Sequence, residues 1–177
     1  MKGILFCEFI EFLEGKIGDD QAQSIIDDCK LKSEGAYARV GQYDYQELIQ
    51  LLTQAATITN IDAGTLLHDF ADHLFGVFKR DYGTFFETAD NAADMLKQID
   101  DHIHVEVKKL YPDAELPKFS FTEANKTLTL NYQSPRPLAG VAHALVSACI
   151  KHFDSQSTLT DYNIADDQKS AVFTIQV

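Results

Sequence analysis

Two short segments hold residue types suited to metal and anion chemistry. Ile103-His104-Val105-Glu106-Val107 carries an imidazole, which near neutral pH offers a ring nitrogen to a metal. Further along, Tyr132-Gln133-Ser134-Pro135-Arg136 supplies a phenol, a hydroxyl and a guanidinium. In an extended strand, side chains at i, i+2 and i+4 share one face at a spacing of roughly 6–7 Å. Leu128, Leu130, Tyr132, Ser134 and Arg136 therefore point one way, and Thr127, Thr129, Asn131 and Gln133 the other. An apolar face thus runs straight into three donors. Pro135 and Pro137 bias the residues before them towards extended backbone, which keeps those donors in line.

Each segment has a plainer alternative. A shielded guanidinium needs an anion, and Arg suits a two-pronged grip on carboxylate or phosphate. That anion could equally be one of the chain's 27 acidic side chains at the sheet edge. On the helix carrying His104, the apolar stripe is Leu96, Ile99, Ile103, Val107 and Leu110. His104 falls roughly 100° from the centre of that stripe, so periodicity alone favours an ordinary half-exposed histidine. His102, beside Asp101, flanks the other side as a competing candidate. Asp94, Asp100 and Asp101 read as a solvated helix face.

Composition narrows the classes. Lys+Arg 15 against Asp+Glu 27 gives a formal charge of −12, which opposes nucleic acid, whose phosphates need Lys and Arg. Hydrophobic content of 45% in 177 residues suits a single domain with a substantial core. Cys7, Cys29 and Cys149 are odd in number, with no C-x-x-C, as expected of a reducing compartment. No apolar run reaches the roughly 18–20 residues of a membrane helix, and Glu8 interrupts the N-terminal apolar run. The expectation is a cytoplasmic protein without a membrane anchor. No G-x-S-x-G, P-loop, G-x-G-x-x-G or zincin motif is present, so an enzyme is not expected.

The elements that must position these residues follow from periodicity. Helical spacing marks one helix through Leu5, Phe9, Phe12 and Leu13 and a second through Ala22, Ile25, Ile26 and Cys29. Further helices are expected from about Tyr45 to Ile58, from an Asp62 N-cap to Phe78, and from about Asp90 to Leu110. Beyond Tyr111 the pattern alternates. Phe119 and Phe121 mark one strand, and Leu128, Leu130 and Tyr132 another, with Glu123-Ala124-Asn125-Lys126 as the turn between them. A helix from about Leu138 to Phe153 and two strands near Ser157–Ile164 and Ser170–Val177 complete the chain. Helices first, then a strand meander with one inserted helix, predicts an α+β fold.

In this order and at this distance, the histidine and the Tyr-x-Ser-x-Arg strand resemble the haem–nitric oxide/oxygen-binding (H-NOX) family. The likeness extends to Met1-Lys2-Gly3-Ile4 and to Tyr111-Pro112-Asp113-Ala114-Glu115-Leu116-Pro117. It implies one domain over residues 1–177, with a distal helical part to about residue 60 and a haem-cradling part from about 61. A long helix and an antiparallel four-stranded sheet with an inserted helix would enclose haem b. His104 would be the iron ligand, Tyr132, Ser134 and Arg136 donors to the propionates, and Pro117 a wedge against the porphyrin. Leu5, Phe78 and Leu145 would also touch the haem, and Phe9, Leu74 and Val141 would line the distal gas pocket. Periodicity alone makes these core residues.

One departure bears on the ligand. Oxygen-binding members place a tyrosine on the helix after the triad, and the matching position here is Val141. Without that donor, bound O₂ loses its main stabilisation, so the resemblance implies nitric oxide, with CO weaker and O₂ disfavoured. His143, about 200° round the helix from Val141, is expected to face elsewhere. The implied partner is a separate histidine kinase or cyclic-di-GMP enzyme. Some members hold a structural zinc with clustered cysteines, but Cys149 has no neighbour in sequence to form one. The competing expectations are an oxygen- or redox-sensing haem domain, or a haem-free module for an anionic tetrapyrrole. Cys7 reads either as an oxidation sensor or as a small buried apolar residue.

Overall fold

The computed structural model describes residues 1–153 and 157–177, which divide into two units, Met1–His73 and Leu74–Val177. The first unit is helical. α1 (Gly3–Ile17) and α2 (Asp19–Cys29) are followed by a connection, α3 (Tyr45–Thr59) and the first part of α4 (Ala63–Asp81). Asp44 caps α3 by accepting from the Gln46 amide at 3.0 Å, and Asp62 takes the Thr65 amide at 3.0 Å. Gly3 starts α1 at a close approach: a Cβ there would lie 1.9 Å from the Ala38 carbonyl oxygen. The space lets the Gly3 amide donate to Gly41 O at 2.9 Å, which pins the N-terminus to the connection.

The core of this unit is Phe6, Phe9, Leu13, Ile25, Leu51, Leu66 and Phe70. It also encloses two carboxylates, each given partners as burial requires. Glu8, 1% exposed, is met by Arg39 and by His73 Nε2 at 3.2 Å. Glu47 accepts from Ser33 at 2.5 Å and from Tyr37 at 2.7 Å.

In the second unit, α5 (Gly83–Glu87) and α6 (Ala92–Lys97) lead to a π-helical turn, Ile99–Ile103, and α7 (His104–Leu110). The sheet is antiparallel in the order β1 (Lys118–Ala124), β2 (Thr127–Gln133), β4 (Ser170–Gln176), β3 (Thr158–Ile164), with α8 (Ala139–His152) inserted between β2 and β3. Asn125 and Lys126 adopt φ of 51° and 60°, the left-handed pair that a two-residue hairpin between β1 and β2 demands. Leu128, Leu130 and Tyr132 of β2 stand beside Ala171, Phe173 and Ile175 of β4 on the buried face. Met95 and Leu96 of α6 and Ala142, Val146 and Cys149 of α8 complete that core. This is the α+β architecture expected, a four-stranded antiparallel sheet with one inserted helix.

One expected element differs in kind. The helix foreseen over about Asp90–Leu110 is α-helical, then π-helical, then α-helical. The Ile103 amide bonds Gln98 O at 3.1 Å and the His104 amide bonds Ile99 O, each reaching back five residues instead of four. This one-residue slip turns everything downstream by about 100° relative to a regular helix. The place that regular spacing gives Ile103, in line with Leu96, passes to His104. Leu110, expected in the apolar stripe, is accordingly 60% exposed, while Tyr111 is half-buried.

Candidate cofactor-binding site

The π turn answers the objection to His104. Its side chain is 18% exposed, well inside the half-exposed position that regular periodicity predicted. His104 Nδ1 lies 2.7 Å from Asp100 Oδ1, and Asp100 Oδ2 accepts the Phe119 amide of β1 at 2.8 Å. One carboxylate thus joins the imidazole to the sheet. A carboxylate at Nδ1 fixes the tautomer with its proton there, leaving the Nε2 lone pair for a metal. Burial pushes the His104 pKa below the ordinary imidazole value, with Asp100 pulling the other way. The neutral, ligating form is favoured at pH 7.

The sign for stability follows. Where the unfolded chain has taken up a proton and the folded chain has not, acid favours unfolding. Stability at this residue is therefore lost as pH falls from the ordinary imidazole value through the depressed one.

Asp100 was expected on a solvated helix face and is instead half-buried and bonded on both oxygens. The i, i+4 spacing of Asp100 and His104 was the available signal. An Asp100→Asn variant tests it, because an amide offers one acceptor oxygen where two bonds must be accepted. One bond must be lost, at about 1–2 kcal/mol on a side chain that water partly reaches. Removing the carboxylate that raises its pKa should lower the His104 pKa further. Thermal melts and an NMR titration of His104 read both effects, and an unchanged His104 titration would show that Asp100 does not act on the imidazole.

From His104 a continuous set of side chains leads to Tyr132 near the end of β2 and on to Ser134 and Arg136 beyond it. The His104 and Phe119 rings lie 5.9 Å apart, and Phe119 meets Tyr132 edge-on at 5.3 Å. Tyr132 is 4% exposed, and its phenol is held above the ordinary tyrosine value by burial, against a Ser134 hydrogen bond and the Arg136 charge. Ser134, 9% exposed, is fixed by its amide to Lys169 O at 2.8 Å, and its Oγ accepts the Arg136 amide at 3.1 Å. Arg136 Nη1 donates to Glu115 O at 2.9 Å, and Nη2 pairs with the Glu115 carboxylate. The partner acid left open on sequence grounds is therefore Glu115. Pro117, half-buried, lies midway between two tied positions, Glu115 held by Arg136 and Phe119 held by Asp100.

The remaining expected residues are placed as follows. Leu5 is half-buried on α1, and Phe9 is 1% exposed, packed against Phe12 and Phe70 within the first unit. In the second unit Leu74 is buried, while Phe78, Val141 and Leu145 are half-buried. His143 packs against Tyr162 and Phe173, ring centroids 4.2 and 6.2 Å away, and so faces the sheet. His102 is exposed. Among the described residues no three His, Cys, Asp or Glu side chains gather as a metal site. One imidazole, joined through Phe119 to Tyr132 and the Ser134–Arg136 bend, fits a metal that arrives inside an anionic cofactor.

The chain is similar to known haem proteins. A family model described as Haem-NO-binding matches residues 2–160. The ferrous unliganded H-NOX protein from K. algicida is 36% identical, with a TM-score of 0.89 over 99% of this chain and 96% of that one. The IWP-051-bound, Fe(II)CO H-NOX from Shewanella woodyi is 32% identical, with a TM-score of 0.82 over 99% and 94%. The Fe(II)NO H-NOX from S. oneidensis shares the fold at 22% identity and a TM-score of 0.86 over 99% and 98%. Comparison with curated protein sequences gave no match. With a family model over most of its length and relatives above 30% identity across nearly all of it, the chain belongs to the haem–NO-binding (H-NOX) family of haem-binding gas-sensor domains.

Proposed function

We propose that this protein senses nitric oxide at haem b and reports to a separate protein through loss of its bond to His104. The observation that carries this reading is the Asp100–His104 pair, which engages Nδ1 and leaves Nε2 available on a mostly buried imidazole beside Phe119 of β1. The relatives in Fe(II)NO and Fe(II)CO states support the choice of ligand. Haem, when bound, would supply a ferrous iron able to bind a diatomic gas, and His104 would be the side chain that holds that iron.

The chain's own residues do the rest. Tyr132, Ser134 and Arg136 would neutralise and orient the propionates, and Pro117 and Leu5 would press on the ring. Val141 offers no hydrogen to a bound gas. A polar ligand such as O₂ therefore gains nothing from it, whereas nitric oxide needs nothing. While Nε2 is engaged, α7 is held at its first residue. Without that hold His104 would keep its Asp100 bond and its Phe119 ring contact, so the two states would differ at the start of α7. Gas binding shifts the population between them only by its difference in affinity for the two. We infer a sensor and not an enzyme, with a histidine kinase or cyclic-di-GMP enzyme as its partner. No helix among the described residues is long and apolar enough to cross a membrane.

Absorption spectra of the reduced protein under argon, air and nitric oxide test this. The expected result is a Soret band that air leaves in place and nitric oxide moves to shorter wavelength. A stable spectral change in air would transfer the reading to an oxygen sensor. Absence of a Soret band after reconstitution would point to a haem-free tetrapyrrole module.

A further inference from the structure

Arg136 is held firmly on one prong and loosely on the other. Nη1 bonds the Glu115 main-chain oxygen at 2.9 Å, in a segment anchored by Ala114, which is 3% exposed. Nη2 pairs with the Glu115 carboxylate, at the tip of a side chain 66% exposed, while Arg136 itself is only 16% exposed. A guanidinium so shielded is costly to leave without a counter-charge. An exposed carboxylate returns to water at little cost. The main-chain bond can persist when the outer partner changes, because a guanidinium carries five N–H donors. The Arg136 amide bond to Ser134 Oγ, 3.1 Å, holds the backbone at this point throughout such an exchange.

We propose that Glu115 is an intramolecular stand-in for the incoming propionate: it occupies the anion position on Arg136 and must be displaced when haem binds. The inference rests on the haem reading above and adds a residue that tunes it. Glu115 would keep Arg136 compensated in the haem-free chain, and the same contact would hold haem affinity below the value that Arg136 alone would give. Exchange of one carboxylate for another leaves the charge at Arg136 balanced.

The test is a double-mutant cycle on the full chain, reading haem transfer to an apoprotein scavenger. Glu115→Gln should tighten haem binding by roughly two- to five-fold, the range of an exposed ion pair. In an Arg136→Gln background the same substitution should change nothing. The haem-free Glu115→Gln chain should melt lower than the haem-free parent, which also verifies folding. Weaker or unchanged haem binding in Glu115→Gln overturns the inference, as does an effect that survives in the Arg136→Gln background. If the parent chain takes up no haem, the sensor reading fails and the inference fails with it. Uptake with unaltered affinity removes the inference alone.

Discussion

A His104→Gly variant is expected to lose the tether and to hold its partner in the nitric-oxide-bound output whether or not the gas is present. The substitution removes the imidazole that Asp100 and Phe119 surround and leaves a ring-sized gap. Loss of a second-sphere partner alone typically lowers metal affinity by roughly 10–100-fold, so loss of the ligand itself should exceed that. Added imidazole fits the gap and should restore both haem retention and sensitivity to gas. The measurement is haem retention and partner output with and without nitric oxide, before and after imidazole. Control by nitric oxide that persists without His104 and without imidazole would rule out the broken-tether mechanism.

Val141→Tyr is expected to raise oxygen affinity above that of the parent chain. Val141 is half-buried near the start of α8, and a phenol there adds a donor to an apolar surface. A hydrogen bond to a charged acceptor contributes about 1.5–3 kcal/mol, or roughly 10- to 100-fold in affinity. His143 does not compensate already, since it is packed on Phe173 and Tyr162. Spectra of the reduced variant in air read the effect directly. No gain in oxygen affinity, with nitric oxide binding intact, would remove Val141 from the gas pocket.

Local patterns carried most of the architecture. The helix expected over about Tyr45–Ile58 matches α3 to within a residue, and the turn expected over Glu123-Ala124-Asn125-Lys126 contains the hairpin because the strands either side alternate. Strand periodicity reaches only Tyr132 of the Tyr132, Ser134 and Arg136 set, because β2 ends at Gln133, and Ser134 and Arg136 lie in the bend beyond it. What failed was arithmetic over the long helix. A π turn has no compositional mark, so a count at 100° per residue carried His104 off the face that it occupies. Asp100 was missed along with it, since its second bond, to the Phe119 amide, joins positions that only the fold brings together. The identity of Glu115 as the partner of Arg136 was beyond reach for that reason too.

The π turn has the effect of an insertion within a reading frame. Between Leu96 and His104 the helix holds one residue more than a regular helix needs to return to the same face. A one-residue deletion there, for instance of the exposed Asp101, would relax the helix to regular winding and still return the imidazole to its face. Asp100 would then sit three positions before the histidine, which on a helix is still a neighbour. Homologous chains one residue shorter in this stretch can therefore carry the same histidine at the same place in space, and an alignment that forbids a gap inside the helix would pair the wrong residues.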